Sequence, residues 1–125
     1  MNESDVIVHW RKGARSALQA ARLIHKDGHH ALALFNCHLA VEKALKAVFM
    51  EERSKEAPAT HNLVLIADQL KRWWSPKERR ELDYLTQYAV AARYDDPIWA
   101  EHEATAENCM RWLSVADDFL SSLLP

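Results

Sequence analysis

The sequence predicts an all-α protein folded as an up-and-down bundle of four or five helices. The 125-residue chain has only two glycines and is 49% hydrophobic and 27% charged, which is typical of long helices with few tight turns. Alanine and leucine are abundant and β-branched residues are scarce. Apolar residues recur at helical spacing in segments that short links join. The length fits a single domain over residues 1–125.

Two long helices are predicted in the first half of the chain. Helix one is expected from about Asp5 to Lys26, and Gly28 is expected to end it. Helix two is expected from about His30 to Glu52. At about 100° per residue, its apolar side chains share one face; they are Leu34, Val41, Leu45, Val48 and Phe49.

Helix two also places His38 and Glu42 on that apolar face. A carboxylate removed from water needs a partner, because its desolvation alone costs several kcal/mol or forces it to take up a proton. The sequence therefore predicts a polar contact between Glu42 and another segment.

A third helix is expected over residues 61–73, with Thr60 as its N-cap and Trp73 directed into the core. The basic and aromatic run KRWWSPKERR, residues 71–80, has two readings. It either forms a stacking and phosphate-binding patch for single-stranded RNA or a nucleotide, or places cations at the C-terminus of helix three. Trp74 lies off the apolar stripe, so its exposure would indicate an interface.

The segment SPKE, residues 75–78, is the most specific local signal in the chain. It combines an N-cap serine, a proline at the first helical position and a glutamate that completes a capping box. Helix four is expected to start there and to end near Ala91. Residues 92–105 are predicted to be non-helical, and Thr105 is predicted to cap helix five.

Composition also limits the function. A net charge of −2 and a pI near 6.4 argue against a protein that coats nucleic acid by bulk electrostatics. No apolar run approaches the roughly 20 residues of a membrane span, and the N-terminal residues lack a signal-peptide layout. Cys37 and Cys109 have no metal-like or CxxC spacing and are expected to be buried thiols in a reducing compartment. We therefore expect a cytoplasmic protein.

Arg93 is the predicted partner of Glu42. It lies where helix four ends, and a guanidinium can bind a carboxylate through two parallel hydrogen bonds. Tyr94 or His38 would take a remaining hydrogen bond. The pair would either fix the register of the bundle or form a polar ligand site between helices.

Four segments, in order, resemble the HEPN family, the higher-eukaryote and prokaryote nucleotide-binding domains. They are GHHALALFNCHLAVEKALKAVF at residues 28–49, APATHNL at 57–63, YAVAARYDD at 88–96 and ADDFL at 116–120. The chain departs from the family pattern at His38, where glutamine is usual, and at Asp96-Pro97, which replaces a Tyr-Pro-Asp order.

The resemblance implies a four- or five-helix bundle, usually dimeric, that is often encoded beside a minimal nucleotidyltransferase in toxin–antitoxin systems. Many family members are metal-independent ribonucleases with an Arg-x4–6-His motif near the start of a late helix. Here eight residues separate Arg93 from His102 and seven separate Arg53 from His61. The spacing from Arg22 to His29 fits, but it lies at the end of helix one and is expected by chance.

Three functions follow as hypotheses. The first is a homodimeric module that binds a nucleotide or RNA and acts with a separate nucleotidyltransferase; its predicted ligand-binding residues are His38, Glu42, Lys46, His61, Arg93 and Tyr94. The second is a ribonuclease toxin that uses Arg93 with His102 or His61. The third is a dimerisation scaffold without a ligand.

No cofactor is expected, and neither is a metal site. The chain lacks a histidine three residues after a glutamate, and His25 and His29 lie on opposite sides of Gly28. His61 is expected either to anchor the first turn of helix three or to act as a catalytic base.

Overall fold

The computed structural model describes residues 2–94 and 96–125. Over these ranges the chain forms six helices and no strand: α1 (Glu3–Lys26), α2 (His30–Arg53), α3 (Leu63–Ala67), α4 (Pro76–Tyr94), α5 (Pro97–Glu103) and α6 (Ala106–Leu123). The four long helices α1, α2, α4 and α6 form the bundle, and this confirms the predicted fold class. Asp95, part of the YAVAARYDD segment, lies outside the described residues.

Local sequence signals set the ends of α1. Asn2 accepts a hydrogen bond from the backbone N–H of Asp5, and the Asp5 carboxylate accepts one from the backbone N–H of Asn2, which forms a capping box. At the other end Gly28 has a φ of 87°, a left-handed conformation that glycine adopts without steric cost. The predicted end of helix one is therefore confirmed.

Helix α2 is the central element of the bundle, since it packs against α1, α3, α4 and α6. Its buried residues lie around most of its circumference, so α2 buries more of its surface than the single apolar face that the sequence predicted. This central position leaves three polar side chains of α2 buried, at His38, Glu42 and Lys46.

Helix α3 is much shorter than predicted. Thr60 is not its N-cap; the side chain of Asn62 accepts from the backbone N–H groups of Val64 and Leu65. The helix ends at Ala67, and turns occupy most of the chain up to α4. At the start of α4, Ser75 and Glu78 form the predicted capping box, with reciprocal bonds of 2.9 and 3.0 Å.

The segment predicted to be non-helical contains the last turn of α4, which ends at Tyr94 and not near Ala91, and the whole of α5, so that prediction was wrong for residues 92–94 and 97–103. Asp96 caps this helix by accepting from the backbone N–H groups of Ile98 and Trp99, and Pro97 occupies its first turn. The Tyr88 hydroxyl donates to Glu103 at 3.1 Å, which links α5 to α4. Thr105 caps α6 as predicted.

Cys37 and Cys109 are free and fully buried, as the sequence predicted. None of the helices in residues 2–94 and 96–125 combines the length and apolar character that a membrane span requires.

Candidate functional site

A small cavity lies between α2 and α4, beside the segment that leads into α3. Its volume is about 120 Å³, and its lining is mostly apolar with a few polar groups, the usual make-up of a ligand site. Nine residues line it: Phe35, His38, Leu39, Glu42, His61, Thr86, Ala89, Val90 and Arg93. The cavity therefore brings together four of the predicted site residues, namely His38, Glu42, His61 and Arg93.

Among the described residues, the buried carboxylate of Glu42 has two hydrogen-bond partners, and neither is Arg93; His38 Nε2 lies further away, 3.9 Å from Oε1. His61 Nδ1 donates to Glu42 Oε1 at 2.8 Å, and Lys46 Nζ donates to Glu42 Oε2 at 3.2 Å. The predicted ion pair between Glu42 and Arg93 is therefore wrong. Lys46 lies one helical turn beyond Glu42 on the same helix, so its ammonium reaches the carboxylate without crossing to α4.

Lys46 does not line the cavity. Its Nζ lies 5.7 Å from the centroid of the Trp10 ring in α1, which adds a cation–π contact to the ion pair with Glu42. The side chain is also buried, at 7% exposure. Its contacts indicate a structural role, while its predicted role as a ligand residue stays a prediction.

His38 presents an unsatisfied hydrogen-bond acceptor. Its Nε2 donates to the backbone carbonyl of His61 at 2.8 Å, so the proton of the neutral ring lies on Nε2. Burial lowers the pKa of His38 below its usual 6.5, which favours that neutral ring. Its Nδ1 is buried and has no hydrogen-bond partner among the described residues. Such an atom is costly unless another group binds it.

Hydrogen bonds around His61 hold this segment in place beside α2 and α4. The hydroxyl of Thr86 in α4 accepts from the backbone N–H of Leu63 at 3.2 Å and donates to the Leu82 carbonyl at 3.0 Å. The hydroxyl of Thr60 accepts from the backbone N–H of Asn62. These bonds tie the segment around His61 to α4, and so they fix the imidazole beside Glu42. Thr86 was not predicted, because its only sequence signal is its position one turn after the buried Leu82.

The remaining predicted residues lie in more exposed positions. Tyr94 is 75% exposed at the end of α4, and His102 is exposed in α5; neither lines the cavity. Arg93 is exposed and does line the cavity, so its guanidinium is accessible to a ligand. The assignments of Tyr94 to ligand binding and of His102 to catalysis stay predictions.

The two tryptophans of residues 71–80 have the opposite orientations from those predicted. Trp73 is 78% exposed, whereas Trp74 is buried. Trp74 Nε1 donates to the Ala67 carbonyl at 2.9 Å, and the guanidinium of Arg72 lies 3.9 Å from the Trp74 ring centroid. The prediction assumed that helix three continues to residue 73. Because α3 ends at Ala67, the residues after it no longer follow the helical spacing, and this changes the direction in which the two tryptophan side chains point.

The bundle and its cavity describe an all-α domain with a small, mostly apolar cavity between α2 and α4 that contains a few polar side chains. The sequence matches the family model of the HEPN domain over residues 7–124. The chain therefore belongs to the HEPN family.

A solved structure supports the same fold. The crystal structure of TT1696 from Thermus thermophilus superposes with a TM-score of 0.81 at 22% sequence identity, covering 98% of this chain and 97% of that one. A comparison with curated proteins finds no match.

Proposed function

We propose that this HEPN protein binds a nucleotide or a short RNA segment at the cavity between α2 and α4. One observation carries the proposal: the cavity is lined by the imidazole of His38, whose Nδ1 has no hydrogen-bond partner among the described residues, and by the exposed side chain of Arg93. The first group can accept a hydrogen bond from a base N–H, and the second can bind a phosphate.

The size of the cavity limits how such a ligand would bind. Its volume of about 120 Å³ is well below the roughly 300–1,000 Å³ of sites that enclose a drug-sized ligand. A single base edge or ring would enter, while the sugar and phosphate would remain at the mouth near Arg93. Phe35 and the exposed imidazole of His61 offer flat surfaces beside an inserted ring.

The partners belong to the same proposal. In a cytoplasmic toxin–antitoxin system the protein would act with a minimal nucleotidyltransferase, and it would form a homodimer. Exposed apolar side chains on α4 and α5, beside the cavity, support an interface; they are Val90, which also lines the cavity, Tyr94 and Ile98. Light scattering of the purified protein would distinguish a dimer from a monomer.

Binding can be tested by nuclear magnetic resonance titration with AMP and with a short single-stranded RNA. Arg93→Gln should weaken binding at least about tenfold, because a hydrogen bond to a charged group contributes about 1.5–3 kcal/mol. Arg80→Gln is the matched control, since Arg80 is an exposed arginine on the same helix that does not line the cavity. Equal affinity in both variants, or no shift of cavity resonances, would contradict the proposal.

Metal-independent RNA cleavage is a second candidate, and the contact between Glu42 and His61 favours it. A buried carboxylate fixes the Nδ1 side of the imidazole, as in sites where a carboxylate orients a general base. Arg93 lines the same cavity and could stabilise the charge on a phosphorane. In this version His61, rather than His102, transfers the proton.

An RNA cleavage assay in the presence of EDTA tests this candidate. Cleavage should fall by about 100-fold or more in His61→Gln, and it should be retained in His9→Gln, a variant of an exposed histidine on α1. Loss of cleavage in His102→Gln alone would assign the proton transfer to α5 instead. Absence of cleavage by the unmodified protein would leave binding as the function.

A further inference from the structure

Three potential metal ligands meet at the end of the bundle where α1 joins α2: His25, His30 and Cys109. His25 lies in the last turn of α1, His30 is the first residue of α2, and Cys109 lies in the first turns of α6. One ligand atom from each lies within 4.8 Å of the other two. None of the three takes part in the proposed nucleotide site.

The two imidazoles point the same nitrogen at each other. His25 Nδ1 and His30 Nδ1 are 3.0 Å apart, and the ring centroids are 4.9 Å apart. One of these nitrogens must therefore be unprotonated, because two N–H groups cannot share a hydrogen bond. An unprotonated nitrogen is the form that binds a metal ion.

We propose that His25, His30 and Cys109 form a binding site for Zn²⁺. Two imidazole nitrogens and one thiolate suit this borderline-soft ion, whose bonds are about 2.0–2.1 Å to nitrogen and 2.3 Å to sulfur. Tetrahedral geometry with these bonds puts the two nitrogens about 3.4 Å apart and each nitrogen about 3.6 Å from sulfur. In the structure the two nitrogens are 3.0 Å apart and all three ligand atoms lie within 4.8 Å of one another, which is close to this geometry.

His25 connects the cluster to the surface. A groove of about 430 Å³ runs along the surface beside His25, between α1 and α6. Arg22 and Asp117 on this groove already form an ion pair at 2.8 Å, so neither is required as a ligand. Water from the groove would take the fourth position of the tetrahedron.

Binding requires the Cys109 thiol to lose its proton. Burial raises the pKa of this thiol to about 11 in the metal-free protein, so Zn²⁺ would displace the proton from sulfur as the bond forms.

The ion would fasten three helices at one end of the bundle. The link between α1 and α2 contains Gly28 and only a few residues, and Cys109 would connect it to α6, which is distant in sequence. Because binding to the folded state alone stabilises it by mass action, the melting temperature should rise with Zn²⁺ concentration.

Cobalt substitution in untagged, metal-free protein is the decisive experiment. Tetrahedral Co²⁺ bound to a thiolate should give a sulfur-to-cobalt charge-transfer band and intense visible bands at one equivalent. Zn²⁺ should displace the cobalt and abolish these bands. Absence of the charge-transfer band in the unmodified protein would overturn the proposal.

Matched variants assign the ligands. Cys109→Ala should abolish the charge-transfer band, and His30→Gln should weaken Zn²⁺ affinity at least about 100-fold, since loss of an outer-shell partner alone costs about 10–100-fold. Cys37→Ala and His29→Gln are the controls, because they alter an equally buried thiol and a neighbouring histidine outside the cluster. A band that persists in Cys109→Ala, or that disappears equally in Cys37→Ala, would refute this ligand set.

Discussion

The ion pair between Glu42 and Lys46 gives the sharpest test of the core. Both side chains are nearly inaccessible to water, at 4% and 7% exposure, and their charged atoms are 3.2 Å apart. Glu42→Gln keeps the shape of the side chain but removes its charge, so the ammonium of Lys46 stays buried without a counter-ion. Breaking a buried pair in this way costs about 3–5 kcal/mol.

That cost converts to a large change in thermal stability. Proteins gain about 2.1 cal/mol/K of unfolding entropy per residue, so a chain of 125 residues should lose about 11–19 °C in melting temperature. Replacing both partners, as in Glu42→Leu with Lys46→Met, removes the two charges together and should cost less than about 1 kcal/mol. The ring of Trp10 would then pack against a methionine in place of an ammonium.

Circular dichroism melts and urea titrations of Glu42→Leu, of Lys46→Met and of the variant that combines them complete the cycle, and Glu42→Gln is measured beside them as the shape-preserving change. Lys46→Met should cost less than Glu42→Gln, because Glu42 retains His61 as a partner. Charge compensation in the core requires strong non-additivity, with the double variant more stable than Glu42→Gln. Additive losses would mean that the two charges do not compensate each other.

Three further predictions concern caps, packing and pH. Ser75→Ala should cost about 1 kcal/mol in thermal melts, because it removes the capping bond to the Glu78 N–H, whereas the exposed Ser121→Ala should change little. Trp74→Ala should cost about 3–5 kcal/mol in urea titrations, and Trp73→Ala less than about 0.5 kcal/mol. The opposite ranking of these two costs would mean that Trp73, and not Trp74, is the buried side chain. Burial raises the pKa of Cys37 from 9.0 to about 12, so the folded state holds a proton that the unfolded state releases. The contribution of Cys37 to the stability of the metal-free protein should therefore be constant below about pH 9 and fall by about 1.4 kcal/mol per pH unit from there to about 12, so the loss of stability over this range should be shallower in Cys37→Ala.

Helix positions were predictable where a local signal marks the end. The glycine at residue 28 and the capping box at residues 75–78 both lie within one turn of the boundary that they define. A similar pattern marks the start of α5, since Asp96 and Pro97 repeat the order of a capping residue followed by proline at the first helical position. This helix was not predicted, because the segment is too short to show a helical period.

Tertiary partners were predictable only in part. The burial of Glu42 follows from its place on the apolar face, and the structure confirms it. The predicted contact with another segment is also present, but it comes from His61 and not from Arg93, and Lys46, one turn further along the same helix, reaches the carboxylate directly as well. The cluster of His25, His30 and Cys109 had no such signal, because Gly28 interrupts the helical spacing and Cys109 comes from a distant helix.

The corrected partner of Glu42 strengthens the case for a ligand site. If Arg93 neutralised the buried carboxylate, its guanidinium would already be paired within the protein, and the cavity would lack a cation that can bind a phosphate. Lys46 performs that neutralisation from within α2, and His61 occupies the other carboxylate oxygen. Arg93 is thereby left exposed on the cavity lining. Because the core charge is balanced without it, Arg93→Gln should leave the melting temperature within about 2 °C of the unmodified protein while it weakens nucleotide binding. A large loss of stability in this variant would show that the guanidinium serves the fold instead.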